Sequence, residues 1–296
     1  MQMMTNDAYP GVHVGYALPG PVLRACVSTI SHILVEPHAG TIADIIYPEW
    51  GNVRFSVGGR MALRTGPGAL EDCTPAGGIG PTSHATRFTL APGSYWSVSL
   101  TPLGWARYIG RPARSLAETW CPVDGDGPFA SFTSLLPILD GGDPGQVVAG
   151  IEDYCMTLSA TRTGDEERII AMHAVLVDPA IESAADLADR CGMSLRTLER
   201  LAPDIFGFTP KLLIRRQRFL RSLALFMLDP SLSWIDTLDT HYHDQAHFIR
   251  DFRRFMDMTP GQYARMAHPV MWSAARARVQ TAGTAMQVLQ APPRDS

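Results

Sequence analysis

Two Thr-Pro dipeptides, Thr209-Pro210 and Thr259-Pro260, close two stretches of sequence that repeat one another in spacing. The first runs over 183–210, and the second, degraded, over 232–260. Each offers a short helical segment, a turn and a longer amphipathic helix. Between them Lys211 to Leu228 is one continuous helical pattern. Its apolar residues Leu212, Leu213, Phe219, Leu220, Leu223, Leu225 and Phe226 make a broad face, and Arg215, Arg216, Arg218 and Arg221 give it a basic side. A duplicated helix-turn-helix joined by one helix restricts this part of the chain to an all-α unit in which both copies pack on the shared helix.

The first copy carries the clearer signals. Ser183-Ala-Ala-Asp186 reads as a capping box that opens a helix. Leu187 and Ala188 face inward, and Gly192 supplies the positive φ of a tight interhelical turn with Met193 beneath it. Ser194 caps the next helix, whose Leu198 and Leu201 turn inward with Leu187. That leaves Leu195, Arg196, Thr197, Glu199 and Arg200 outward, where a recognition helix meets the major groove. Arginine can bind guanine O6 and N7 bidentately, and Ser194 and Thr197 can reach phosphates or base edges. Pro203 falls inside this helix and predicts a kink or an early end. Phe206-Gly207 then stops it. In the second copy the pattern predicts a helix over about 232–239, a turn at Thr240–Tyr242 and a helix over His243–Met256. Phe248, Phe252 and Phe255 pack inward there, and Gln245, His247 and Arg250 point out beside Ala246.

The segments SLRTLERLAPDIFGFTPKLLIRRQRF and YHDQAHFIRDFRRFMDMTPGQYAR resemble the signature of the AraC/XylS family of bacterial transcription regulators. The resemblance covers about 165–266. It implies two helix-turn-helix units on one linking helix, with both recognition helices in adjacent major-groove segments of double-stranded DNA. By position it makes Ser194, Arg196, Thr197 and Arg200 the DNA contacts of the first unit, and Gln245, His247 and Arg250 those of the second. Two positions depart from the family's pattern: His241 stands where glycine is usual and Thr237 where a small alanine is expected, with Asp236 near the buried side of the helix. The family also implies RNA polymerase as a partner, a small-molecule effector of unspecified kind, and a homodimer.

Residues 1–120 read differently. ISHILVEP, TIADIIYP, NVRFSVGG, ATRFTLAPG and SYWSVSLTP are short β-branched and aromatic runs bounded by proline, glycine and asparagine, a pattern of barrels and double-sheet sandwiches. Gly58-Gly59, Gly66-Pro67-Gly68 and Gly77-Gly78-Ile79-Gly80-Pro81 read as turns. The fold class expected is thus α+β multidomain: a β-barrel or cupin-like domain at 1–125 for sensing or dimerisation, a helical connector at 126–164, the double helix-turn-helix at 165–268 and a flexible tail at 269–296. Helical periodicity begins at Gln146–Ser159, whose stripe of Val147, Val148, Ile151, Tyr154, Cys155 and Leu158 reads as a face for packing between domains or in a dimer. It returns at Asp165–Val177, with 160–168 as a polar connection.

Charge and chemistry narrow the function further. The net charge is -4, yet residues 181–268 hold 12 Lys/Arg against 11 Asp/Glu, so DNA affinity must come from where the arginines sit. Cys26, Cys73, Cys121, Cys155 and Cys191 are scattered and odd in number, which argues against a disulfide framework or a zinc site and suits the cytoplasm. No apolar run approaches the roughly 18 residues of a membrane helix, and no signal peptide opens the chain. A nucleophile elbow, a P-loop, a dinucleotide fingerprint and HExxH are all missing, so neither an enzyme nor a cofactor is expected. His13, His32, His38 and His84 are dispersed, unlike the His-x-His with glutamate of a metal-dependent cupin, and no metal is expected. Trp50, Trp96 and Trp105 read as core residues, with an apolar pocket as their other use. The rival readings are an enzyme on a cupin-like barrel and a vestigial helix-turn-helix protein acting through protein contacts, the second supported by the weak local charge and the altered second turn.

Overall fold

The computed structural model describes residues 3–140, 142–159, 164–242 and 244–293. Ten strands open the chain: β1 (Met4–Tyr9), β2 (Val12–Ala17), β3 (Val27–Val35), β4 (Ile42–Ile46), β5 (Asn52–Val57), β6 (Met61–Thr65), β7 (Glu71–Asp72), β8 (Ala76–Ile79), β9 (Thr86–Leu90) and β10 (Gly93–Leu100). Helix α1 (Pro102–Tyr108) and strand β11 (Trp120–Pro122) follow. All pairings are antiparallel, in one sheet ordered β1-β2-β3-β10-β5-β8-β11 and a second ordered β4-β9-β6-β7. The expected β domain is therefore present, as two sheets and without a closed barrel.

The central strands are buried on both faces, which explains their near-continuous apolar runs. Toward the smaller sheet lie Val12, Val14 and Val35, facing Ile45, Phe88 and Leu90. The opposite face, with Ile30, Val53, Phe55 and Val98, packs against α1 and the helical segment that follows. Gly77-Gly78, expected as a turn, lies instead within β8 between β5 and β11. A Cβ at Gly77 would stand 2.1 Å from the Trp120 ring, and one at Gly78 2.3 Å from Phe129. Close approach of two aromatic rings, rather than a chain reversal, requires glycine here.

Among the described residues seven further helices follow: α2 (Pro144–Leu158), α3 (Glu166–Leu176), α4 (Ala184–Arg190), α5 (Leu195–Phe206), α6 (Pro210–Leu228), α7 (Gln245–Met256) and α8 (Pro260–Ala264). The stripe on α2 is spent inside the chain: Val147, Val148, Ile151 and Cys155 are buried in the core beneath the larger sheet. It is not an open dimer face. The start of the polar connection at 160–168 lies outside the described residues. No helix among the described residues is long and apolar enough to cross a membrane.

Of the tail expected to be flexible at 269–296, the described part to residue 293 packs on the β domain. Residues Met271–Ala282 form α9, which packs on β1 and β2 with Met271, Ala274, Ala275 and Ala277 buried. Its small residues let the helix lie close to the sheet. Asp44 of β4 anchors its start: the buried carboxylate accepts from His268 Nδ1 at 2.9 Å and from the amides of Val270 at 3.0 Å and Met271 at 2.9 Å. Farther on, the Tyr47 hydroxyl donates to the Ala285 carbonyl and Gln287 bridges the Trp50 amide and the Leu100 carbonyl.

Candidate nucleic-acid interface

The first helix-turn-helix is built as its sequence dictates. The Ser183 hydroxyl accepts from the Asp186 amide at 3.1 Å and opens α4. Gly192 turns the chain at φ +64°, and the Met193 amide closes the turn on the Ala188 carbonyl at 3.0 Å. Ser194 caps α5 by accepting from the Thr197 amide at 3.2 Å, and the two hydroxyls lie 2.9 Å apart. Leu198, Ala202 and Phe206 are buried, whereas Arg196, Glu199 and Arg200 are exposed. Leu201 is half-buried against the same core. Pro203 does not end the helix, which continues to Phe206 and stops at Gly207 with φ +87°. The amide that Pro203 lacks would have served the carbonyl of Glu199, on the exposed side where water can replace it.

The second unit keeps its reading helix and changes its scaffold. Asp244 caps α7 through the His247 amide at 2.6 Å. Phe248, Phe252 and Phe255 are fully buried around Phe219 of α6, with ring centroids at 6.3, 5.3 and 5.1 Å from it. Gln245, Ala246 and Arg250 are exposed. His247 leans edge-on to the Tyr242 ring at 5.2 Å, with Nε2 3.8 Å from the Asp251 carboxylate. It stands half-buried, beside rather than among the two outward residues. His243, expected in this helix, lies outside the described residues.

The expected helix over 232–239 is replaced by turns. Asp236 accepts from the Ser233 amide and hydroxyl, and Asp239 from the His241 amide. These short side chains satisfy local amides in place of helical carbonyls. Trp234 is stacked on Phe226 at 3.9 Å, which fixes the turn on α6. Asp236 is consequently exposed, and the buried Thr237 hydroxyl finds the Trp234 carbonyl. His241 needs no positive φ, since its ring and amide are both held by Asp239.

The basic side expected on α6 is mostly engaged within the protein. Arg215 pairs with the buried carboxylate of Asp251, and Arg221 with Asp239. Arg216 is fully buried, lies 4.1 Å over the Trp50 ring and donates to the Thr82 carbonyl at 2.8 Å. Burial lowers its guanidinium to about 9, so it stays charged at neutral pH. Arg216 thereby joins the linking helix to the β domain by a desolvated cation–π contact. Spacing could not reveal this, because Trp50 comes from a distant strand connection. Exposed cations that sequence reasoning did not single out for DNA are Lys211, Arg253 and Arg254, the last in contact with His84 of the β domain.

A family model described as a helix-turn-helix domain matches residues 187–266. The match covers both units and the helix between them. The chain carries an AraC-type helix-turn-helix domain. Helix-turn-helix units of this kind place their second helix in the major groove of DNA. Several solved structures are similar over most of the chain. Apo ToxT of Vibrio cholerae strain SCE256, in a single-residue variant, is 13% identical, with 88% of this chain and 99% of that chain covered and a TM-score of 0.43. ToxT of Vibrio cholerae O395 is 11% identical, with 76% and 97% covered and a TM-score of 0.39. The AraC-like transcriptional activator CuxR is 12% identical, with 71% and 80% covered and a TM-score of 0.32. No curated protein matches the chain in sequence.

Proposed function

We propose that this regulator reads DNA in a sequence-specific way through α5 and α7, placed in adjacent major-groove segments. The observation that carries the reading is the shared support of the two helices. Each begins at a side-chain cap, each buries its apolar face on α6, and each leaves an arginine and a polar neighbour outward. Arg196, Arg200, Gln245 and Arg250 are the base-reading candidates. Ser194, Thr197 and His247, already engaged in caps or neighbours, serve in phosphate contact and positioning. The division at 1–125, 126–164 and 165–268 describes the working parts, and a homodimer would match a twofold-symmetric operator.

The β domain acts as the sensor in this reading. A cavity of about 80 Å³ lies between the sheets, lined by Ile33, Phe55, Leu63, Phe88 and Trp96 among others. That is several times the roughly 10–15 Å³ one water needs, so a small molecule fits. Trp50, Trp96 and Trp105 are all buried in the core.

Replacing Arg200 by alanine is expected to cost about 1–3 kcal/mol in affinity for the protein's own operator if the guanidinium reads a guanine. Fluorescence anisotropy with the chain's own upstream region measures it at fixed salt. Unchanged affinity and unchanged sequence preference would remove Arg200 from the reading set. The vestigial alternative draws on the rebuilt 232–239 turn and on the internal pairing of Arg215 and Arg221. Its mark is the lack of retardation of any DNA at low salt.

A further inference from the structure

Three charged side chains line the inter-sheet cavity: Glu49, Arg54 and Arg278. Glu49 and Arg54 form an ion pair with each other on the wall of the larger sheet. Arg278, from α9, has only neutral partners. It donates to the Thr29 hydroxyl at 2.6 Å and to the Gln290 side-chain oxygen, and its Nε–H has no acceptor. The residue is 2% exposed. The cavity wall therefore carries one uncompensated positive charge in mostly apolar surroundings. Burying such a charge unpaired is costly, and an anion arriving in the cavity would offset that cost. Burial accordingly pulls the Arg278 guanidinium down from its ordinary range.

The rest of the lining defines what can accompany that counter-charge. Ile33, Ile46, Leu63, Phe88 and Leu90 present hydrocarbon and ring faces. Val270, Met271 and Ala274 close the cavity from the side of the C-terminal segment. We propose that the cavity binds a small, largely apolar molecule bearing a single anionic group, which pairs with Arg278. The binding site is thus completed by a helix that follows the DNA-binding domain in the chain. Occupancy would tighten the packing of α9 on β1 and β2, and with it the Asp44–His268 anchor at the end of the AraC-type domain. This inference rests on the reading of the β domain as a sensor.

The test uses the full chain and two probes of matched shape, cyclohexanecarboxylate and cyclohexanecarboxamide, followed by thermal unfolding at pH 7.5. At about ten times its Kd a ligand is expected to raise the Tm by about 2–4 °C for a protein of this size. The carboxylate is expected to do so, the carboxamide to leave the Tm unchanged, and the carboxylate shift to disappear in Arg278→Gln. Arg278→Lys keeps the charge and is expected to retain most of the shift, so the inference stays decidable if Arg278→Gln does not fold. Equal shifts from both probes would overturn the anionic class and leave the sensor reading standing. A carboxylate shift that survives Arg278→Gln would place binding elsewhere and overturn the assignment of Arg278. No shift from either probe would overturn both the inference and the sensor reading of this cavity.

Discussion

Asp44→Ala is expected to destabilise the protein by about 3–5 kcal/mol, because it strands several buried donors at about 1–3 kcal/mol each. The carboxylate sits on β4 and receives three donors from the chain just beyond α8, the His268 ring and the Val270 and Met271 amides. Both ring and carboxylate are completely shielded from solvent. Alanine would leave all three donors without an acceptor in a space too closed for water to reach freely. Asp44→Asn keeps one carbonyl oxygen and is expected to cost about half as much, since neutral acceptors form weaker bonds than charged ones. Urea unfolding followed by circular dichroism measures the difference. Limited trypsin digestion adds a local readout, because release of α9 exposes Arg278 beside the already exposed Arg276. A destabilisation below 1 kcal/mol with no new cleavage would show that the C-terminal segment does not depend on this anchor.

Phe219→Ala is the second large effect. Phe219 is fully buried at the contact of α6 with α7, and touches all three phenylalanines of the second reading helix. Truncating a buried phenylalanine typically costs about 3–5 kcal/mol, from lost transfer energy and the cavity left behind. Aromatic pairs add about 0.5–1.5 kcal/mol each beyond their area, so the upper end of that range is expected here. Leu225→Ala on the same helix is the control. Leu225 is 49% exposed and its loss is expected to stay within about 0.5 kcal/mol. Equal effects from the two substitutions would contradict the packing of α7 on α6. Loss of DNA contacts in the second unit is expected to accompany Phe219→Ala before global unfolding, since the remaining support of α7 is smaller.

The reading unit was legible in the sequence because its determinants are local. Gly192, the caps at Ser183 and Ser194, and the phenylalanines at 248, 252 and 255 each act within one or two helical turns. The Gly207 stop belongs to the same class. What escaped the sequence depends on partners far along the chain. Arg216 reads as part of a basic helix side until Trp50 is brought beneath it. The tail after 268 reads as small and polar until Asp44, more than two hundred residues earlier, anchors its start. Gly77 and Gly78 read as a turn because nothing nearby announces the rings of Trp120 and Phe129. The missing helix at 232–239 is a local failure of another kind. Asp236 and Asp239 fit a helical pattern by spacing, but their carboxylates bond the turn amides instead.

The cavity's charge was equally hidden. Glu49 and Arg54 pair across five residues, but Arg278 lies more than two hundred residues further on, and only folding brings it to the same cavity. The seven residues nominated for DNA contact, by contrast, all lie on or at the start of α5 and α7. Folding separates them: Arg196, Arg200, Gln245 and Arg250 stand outward, whereas Ser194, though exposed, is engaged with Thr197 in the α5 cap and His247 leans on Tyr242 and Asp251.

Protection of guanine N7 from methylation tests the double reader most directly, using fragments of the native genome recovered with the full chain. Two clusters of protected guanines are expected about one helical turn apart, roughly 10–10.5 bp between centres. Arg200→Ala should erase one cluster and Arg250→Ala the other. A single cluster, unchanged by Arg250→Ala, would contradict the double reader.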